Sequence, residues 1–219
     1  MSFRNVASLG ALAVLSGCIL YAPVDLGALG SPGKLQETVV LGSARAKLAL
    51  IEVSGVIAEP DSRTRIGISE RPGLIVETRN ALDRAAADDD VVGILLRINS
   101  PGGSVSASDT LHHEIESWKS EHKHPVVAYL NGIATSGGYY VAMASDRVIA
   151  HPSSVTGSIG VVMPGLSIEG LMEKYGVVDQ TLTSGKFKDA GTLLRDMSAE
   201  ERVQLSSVIN DLFARFVDV

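Results

Sequence analysis

The chain has 219 residues, 45% hydrophobic and 20% charged, with a formal net charge of −6. That composition is globular, and the length supports one sizeable core in a single main domain. An acidic balance without a long basic run excludes the electrostatic footprint of a nucleic-acid binder. The single cysteine excludes an intrachain disulfide and a cysteine-based metal site.

The chain opens with "MSFRNVASLGALAVLSGC". One early arginine, a short apolar stretch and small residues ahead of Cys18 are the layout of a secretory signal peptide, expected over residues 1–17. The ending Leu15-Ser16-Gly17-Cys18 resembles a bacterial lipobox, in which the cysteine is lipidated and becomes the mature N-terminus. The alternative is an uncleaved anchor helix, because the apolar run continues through Ala22. Both readings place the rest of the chain outside the cytoplasm and tie it to a membrane. Residues 18–47 are rich in Gly and Pro and weakly periodic, which predicts a tether ahead of a domain over 48–219.

A regular alternation follows. "KLALIEVSGVI" predicts a strand, and "GLIVETRNALDRAAADD" a helix with Leu74, Thr78, Ala81, Leu82 and Ala85 on one face. "VVGILLRIN" has the length and continuous apolar character of a buried strand. After the turn "SPGGS", Leu111, Ile115 and Trp118 mark a second helix, and "PVVAYL" the next strand. A short helix is expected from about Ser136, then the strand "RVIAH", the helix "LSIEGLMEKYG" and the strand "VVDQTLTS". Ser198 and Glu201 form a capping-box pattern opening a last helix, whose apolar face is Leu205, Ile209, Leu212 and Phe216. Strands alternating with helices imply an α/β fold with a mainly parallel sheet, in which loops after the carboxyl ends of strands build the site.

Two such loops are glycine-bearing, "NSPGGS" and "NGIATSGG". A serine hydroxyl is a poor nucleophile until a base takes its proton and its oxyanion is stabilised. Ser136 meets the second need, since the helix after it offers free N–H groups and a positive dipole end. The "PGG" of residues 101–103 can bring a facing N–H close. Each loop taken singly is also explained by turn chemistry alone. None of the five histidines, His112, His113, His122, His124 and His151, sits in a setting that suggests a base; the first four read as a solvated face. Lys186 and Lys188, in "TSGKFKDAG" beyond an apolar stretch, are the other candidates. A lysine titrates near ~10.4 and needs desolvation to act near neutral pH.

Four motifs in this order, "NSPGGS", "ATSGGYYVAMASD", "TGSIGVV" and "SGKFKDAG", resemble the bacterial signal peptide peptidase A family of serine–lysine peptidases from about residue 48 to the end. The resemblance implies a crotonase/ClpP-like spiral of ββα units. It implies Ser136 as nucleophile and Lys188 as general base, with Lys186 the spare candidate. It also implies Ser158 as the residue that orients the lysine amine, and the backbone N–H groups of Gly103 and Gly137 as the oxyanion hole. Family members run further than "FARFVDV", so the C-terminal end of the family domain is expected to be missing here. The expected activity is a membrane-tethered serine endopeptidase cutting hydrophobic peptides such as cleaved signal peptides, assembled as a homo-oligomeric ring. No metal or organic cofactor is implied. The competing readings are a crotonase-like acyl-CoA enzyme, suggested by the "NGIATSGG" loop, and an inactive scaffold lipoprotein.

Overall fold

The computed structural model describes residues 37–59 and 73–219. Cys18 and the expected signal peptide lie outside the described residues. Of the expected tether, residues 37–46 are irregular and exposed, and β1 (Lys47–Ser54) begins where the strand pattern does.

The sheet is parallel throughout, in the order β1, β2 (Val91–Ser100), β3 (Val126–Thr135) and β4 (Arg147–Ala150), with β5 (Val155–Gly157) also on β3. Parallel neighbours require crossovers, which the helices supply. Between β1 and β2 runs α1 (Leu74–Ala86), which buries Ile75, Thr78, Leu82 and Ala85 at helical spacing. Between β2 and β3 runs α2 (Val105–His122), which buries Leu111, Ile115 and Trp118. The Ser104 side chain caps α2 by accepting from Ala107 N–H at 3.2 Å. Trp118 donates its indole N–H to the Leu82 carbonyl at 3.0 Å, so the aromatic fills the core without an unpaired donor.

The core lies between these helices and one face of the sheet, built on Val53, Leu96, Ile98, Ala128 and Leu130. The other face is open. Leu48 is 67% exposed and Ile149 54%, and Glu52 and Arg97, paired across β1 and β2, form an ion pair in solvent. "VVGILLRIN" is therefore covered mainly on one side, with Val92 exposed. Parallel sheets usually bury both faces.

Midway along β3 the partner changes. Residues 127–130 pair with β4, while 133–135 pair with β5, after a register break against β2 between Ile98 and Ser100. Past the break the end of β3 stays in the sheet, with Ala134 paired to Ser100 of β2 and Thr156 of β5. Immediately after β3 comes α3 (Gly137–Ala142), so a single residue, Ser136, joins strand to helix.

Beyond β5 the chain forms an arm carrying α4 (Glu169–Tyr175) and α5 (Ala199–Val217). The capping box is present: Ser198 Oγ accepts from Glu201 N–H at 3.2 Å, and the Glu201 carboxylate accepts from Ser198 N–H at 2.8 Å. Such a cap contributes about 1 kcal/mol. Leu205, Ile209, Leu212 and Phe216 form the less exposed stripe of α5, as their spacing predicts. The strand expected over "VVDQTLTS" does not form; residues 177–184 include no strand, and Leu182 is 96% exposed. A β pattern needs a ladder partner, and within the described residues these backbone groups meet none.

Candidate active site

Ser136 sits at φ 51° and ψ −123°, outside the regions a non-glycine residue ordinarily occupies. Such a conformation costs on the order of 1–3 kcal/mol and persists only where surroundings enforce it. The enforcement is visible. Ser136 N–H donates to the Gly157 carbonyl at 2.9 Å, and its own carbonyl accepts from Tyr140 N–H at 2.9 Å to start α3. The result is a strained strand-to-helix turn that holds the hydroxyl at a helix N-terminus.

The facing loop is held by β1. Past that strand, Ile57 bridges Gly103 as a parallel partner. Ile57 N–H donates to the Gly102 carbonyl at 2.9 Å, and Ser104 N–H donates to the Ile57 carbonyl at 2.9 Å. Alternation along the extended chain turns the N–H of Gly103 away from Ile57, and Gly103, Gly137 and Ser136 line one pocket. Thr135 Oγ1 donates to the Pro101 carbonyl at 3.2 Å and ties the two loops to each other.

Space favours glycine at positions 103 and 137. A Cβ on Gly103 would lie 1.7 Å from the Ile57 carbonyl oxygen, and one on Gly137 would lie 2.1 Å from Ser108 Oγ. Gly103→Ala is therefore expected to push the 101–104 loop off Ile57 and cost stability, on the order of 1–3 kcal/mol for an overpacked site. Urea unfolding checks this; an unchanged midpoint would show that the loop is not clamped as described.

The pocket beside Ser136 is walled by Val105, Tyr140, Val161, Leu212 and Phe216. Its volume is about 30 Å³, the share of one water molecule in the liquid. The C-terminal turns of α5 make it small. Arg215 pairs with both Asp109 carboxylate oxygens at 2.8–3.0 Å, and Phe216 meets Tyr140 edge to face with ring centres 5.1 Å apart. The Tyr140 hydroxyl donates to Asp109 at 2.7 Å. Burial works to raise the Asp109 carboxyl, but the Tyr140 hydroxyl and the Arg215 guanidinium outweigh it and hold it below the usual carboxylate value.

Of the residues expected from sequence, Ser136, Gly103 and Gly137 are brought together. Ser158 follows Gly157, whose carbonyl anchors Ser136, and lies at φ 52° with its side chain exposed. Lys188 is exposed on the arm and does not line the Ser136 pocket. Lys186 is occupied by an ion pair with Glu200 of α5.

Sequence reading missed Ser108, Tyr140 and Arg215 as pocket residues. Only the position of α2 against the turn reveals Ser108, and only the fold brings Arg215 to Asp109. It also misread His112, which is buried rather than on a solvated face and stands edge-on to Tyr140 with ring centres 5.1 Å apart. Burial pushes the His112 imidazole down toward its neutral form. No histidine lines the pocket, so the arrangement supplies no imidazole base to Ser136 within the described residues.

The profile described as peptidase family S49 matches residues 119–219, and that described as Clp protease matches residues 75–156. The chain is 42% identical over 138 residues to a "Putative protease" of Methanocaldococcus jannaschii, covering 63% of this chain and 44% of the relative. It is 33% identical over 190 residues to the "Putative signal peptide peptidase SppA" of Enterococcus faecium, covering 87% of this chain and 54% of the relative. Protease 4 of Salmonella typhi is 30% identical over 172 residues, covering 78% of this chain and 26% of the relative. The chain thus spans about half the length of the first two relatives. The Clp protease match and the parallel sheet with its crossover helices establish the expected α/β ClpP/crotonase-like fold. With a strained serine lining one pocket with two glycines, the chain is similar to peptidase family S49 over residues 119–219 and to protease-named relatives over most of its length.

Proposed function

We propose that this protein is a serine endopeptidase in which Ser136 attacks the scissile carbonyl of an apolar peptide. The observation that carries the reading is the strained Ser136 at the start of α3, lining one pocket with Gly103 and Gly137. Attack puts negative charge on the carbonyl oxygen, and two preorganised N–H donors, Gly103 and Gly137, stabilise it where it develops. Lys188 takes the Ser136 proton as a neutral amine and returns it to the leaving amine, with Ser158 orienting the lysine. Water then hydrolyses the acyl-enzyme by the same route in reverse. Because Lys188 does not line the pocket of its own chain, the dyad is completed by a neighbouring copy in a closed ring.

The substrates are hydrophobic peptides such as cleaved signal peptides, in keeping with an apolar pocket wall and a membrane tether. A fluorophosphonate probe on the purified protein tests the chemistry: labelling confined to Ser136 supports a serine hydrolase. Absence of labelling favours the scaffold reading, and turnover of an acyl-CoA without labelling favours the crotonase-like one.

The tether is proposed to be a lipidated Cys18, placing the domain on the extracytoplasmic side of a bacterial membrane. Expressed in bacteria with its own leader, the protein is expected to partition into detergent with an acylated N-terminal cysteine. An intact mass that retains Met1 would refute lipidation and leave the anchor helix.

A further inference from the structure

The loop that carries Lys188 is crowded with charge, and the structure sorts that charge in an uneven way. Lys188 is followed directly by Asp189, and Glu200 and Glu201 of α5 lie against the same loop. Each of these carboxylates is taken by a cation other than Lys188. Lys186 pairs with Glu200. Arg195 donates from Nε and Nη2 to Asp189 Oδ2 at 3.2 and 3.0 Å, and from Nη1 to Glu201 Oε2 at 2.8 Å. It reaches the second Glu201 oxygen through Nη2. Lys188 makes no side-chain hydrogen bond or ion pair among the described residues.

The Arg195 clamp is the better-built of the two arrangements. The side chains of Arg195, Asp189 and Glu201 are 31%, 22% and 3% exposed, against 65% and 63% for Lys186 and Glu200. Glu201 is itself locked by the capping box at the start of α5. Lys188 is held at backbone level: its N–H donates to the Gly185 carbonyl at 3.1 Å, and Thr192 N–H donates to the Asp189 carbonyl at 2.9 Å. The other charged groups around the clamp are Asp179, which feels the Arg195 guanidinium, and Glu169, which accepts from Asp196 N–H at 2.6 Å.

We infer that Arg195 is a positioning residue for Lys188: by holding the Asp189 carboxylate against Glu201 and α5, it keeps that carboxylate from pairing with the neighbouring lysine. The inference rests on the reading of Lys188 as the base. An amine that must give up its proton cannot sit in an ion pair, because a nearby carboxylate favours the charged form. Asp189 is the next residue in the chain, so its carboxylate is the one the sequence puts nearest to Lys188. Arg195 removes it with a planar fork that a lysine cannot reproduce, since an ammonium is a point donor. The same contacts anchor the loop to the first turn of α5, so one side chain sets both the place and the charge environment of the amine.

The test reads the lysine directly. Limited acylation of the full chain with acetic anhydride across pH, quantified at Lys188 by peptide mass spectrometry, gives the midpoint at which that amine becomes reactive. Arg195→Gln is expected to move this midpoint upward by on the order of 0.5–1 pH unit at low salt. The rising limb of kcat/KM for an apolar peptide ester is expected to follow it. Adding Asp189→Asn is expected to return the midpoint to the wild-type position. A merely structural arginine would lower activity equally at all pH values and leave the midpoint in place. Arg195→Lys, which keeps the charge but not the fork, is expected to move the midpoint less, and it carries the test if the glutamine variant does not fold by circular dichroism. An unmoved midpoint in the folded variants, or a shift that survives Asp189→Asn, overturns the inference. Lys188→Ala protein that keeps Ser136-dependent cleavage would instead overturn the base assignment, and the acylation midpoints would still report whether the clamp acts.

Discussion

Ser136→Ala protein is expected to cleave an apolar peptide ester about 10⁴–10⁶-fold more slowly than wild type, with an unchanged fold. The size of the loss follows from what remains. The Gly103 and Gly137 donors would still bind a developing oxyanion, but no acyl-enzyme can form without the hydroxyl. The fold should survive because Oγ makes no cap to α3: the turn is held by backbone bonds from Ser136 N–H to Gly157 and from Tyr140 N–H to Ser136. Alanine at a positive φ of 51° is no worse placed than serine in bulk. Steady-state rates with matched circular dichroism and thermal unfolding check both halves. Near wild-type turnover in the variant would remove Ser136 from the mechanism.

Loss of Lys188 is expected to be comparably severe, and its rescue decides how the site is built. Lys188→Arg should be inactive because a guanidinium stays protonated at any working pH. Lys186→Arg should be tolerated, since Lys186 serves an exposed ion pair with Glu200 that arginine can keep. Within one chain Lys188 stands outside the pocket that holds Ser136. A head-to-tail ring would present each Lys188 to the next copy's Ser136. Mixing Ser136→Ala with Lys188→Ala chains at equal amounts should then restore about a quarter of the sites, because each needs its serine from one variant and its lysine from the other. Light scattering must first show that the mixed chains assemble. Assembled mixtures that stay inactive would place both groups within one chain.

The proposed ring also accounts for the arm. Leu182, Val178 and Leu166 are 96%, 76% and 83% exposed, while among the described residues every buried hydrophobic one lies before residue 145. In the proposed ring, these exposed apolar side chains are expected to be covered by the neighbouring copy. The absent strand over 177–184 fits the same picture, since a strand pattern with exposed Val177 and Val178 lacks only a partner.

Much of this protein was legible from its amino acids because the signals are local. The period of Ile75, Thr78, Leu82 and Ala85 fixes the buried face of α1. Ser198 and Glu201, three residues apart, write the start of α5. Glycines 102, 103 and 137 mark where the chain must pass close to its neighbours, and the structure supplies the atoms that would be struck: Gly137 N, Ile57 O and Ser108 Oγ. Tertiary structure alone decided what depends on partners far along the chain. Sequence cannot say that Ile57 would pair with Gly103 and so hold that loop, nor that Arg215 would reach Asp109, 106 residues away, beside the pocket. It misplaced His112 because one helix side was read as solvent before Tyr140 was known to cover it. It drew a strand over 177–184 because β propensity reports what a pleated neighbour would reward, and whether that neighbour exists is a property of the folded chain.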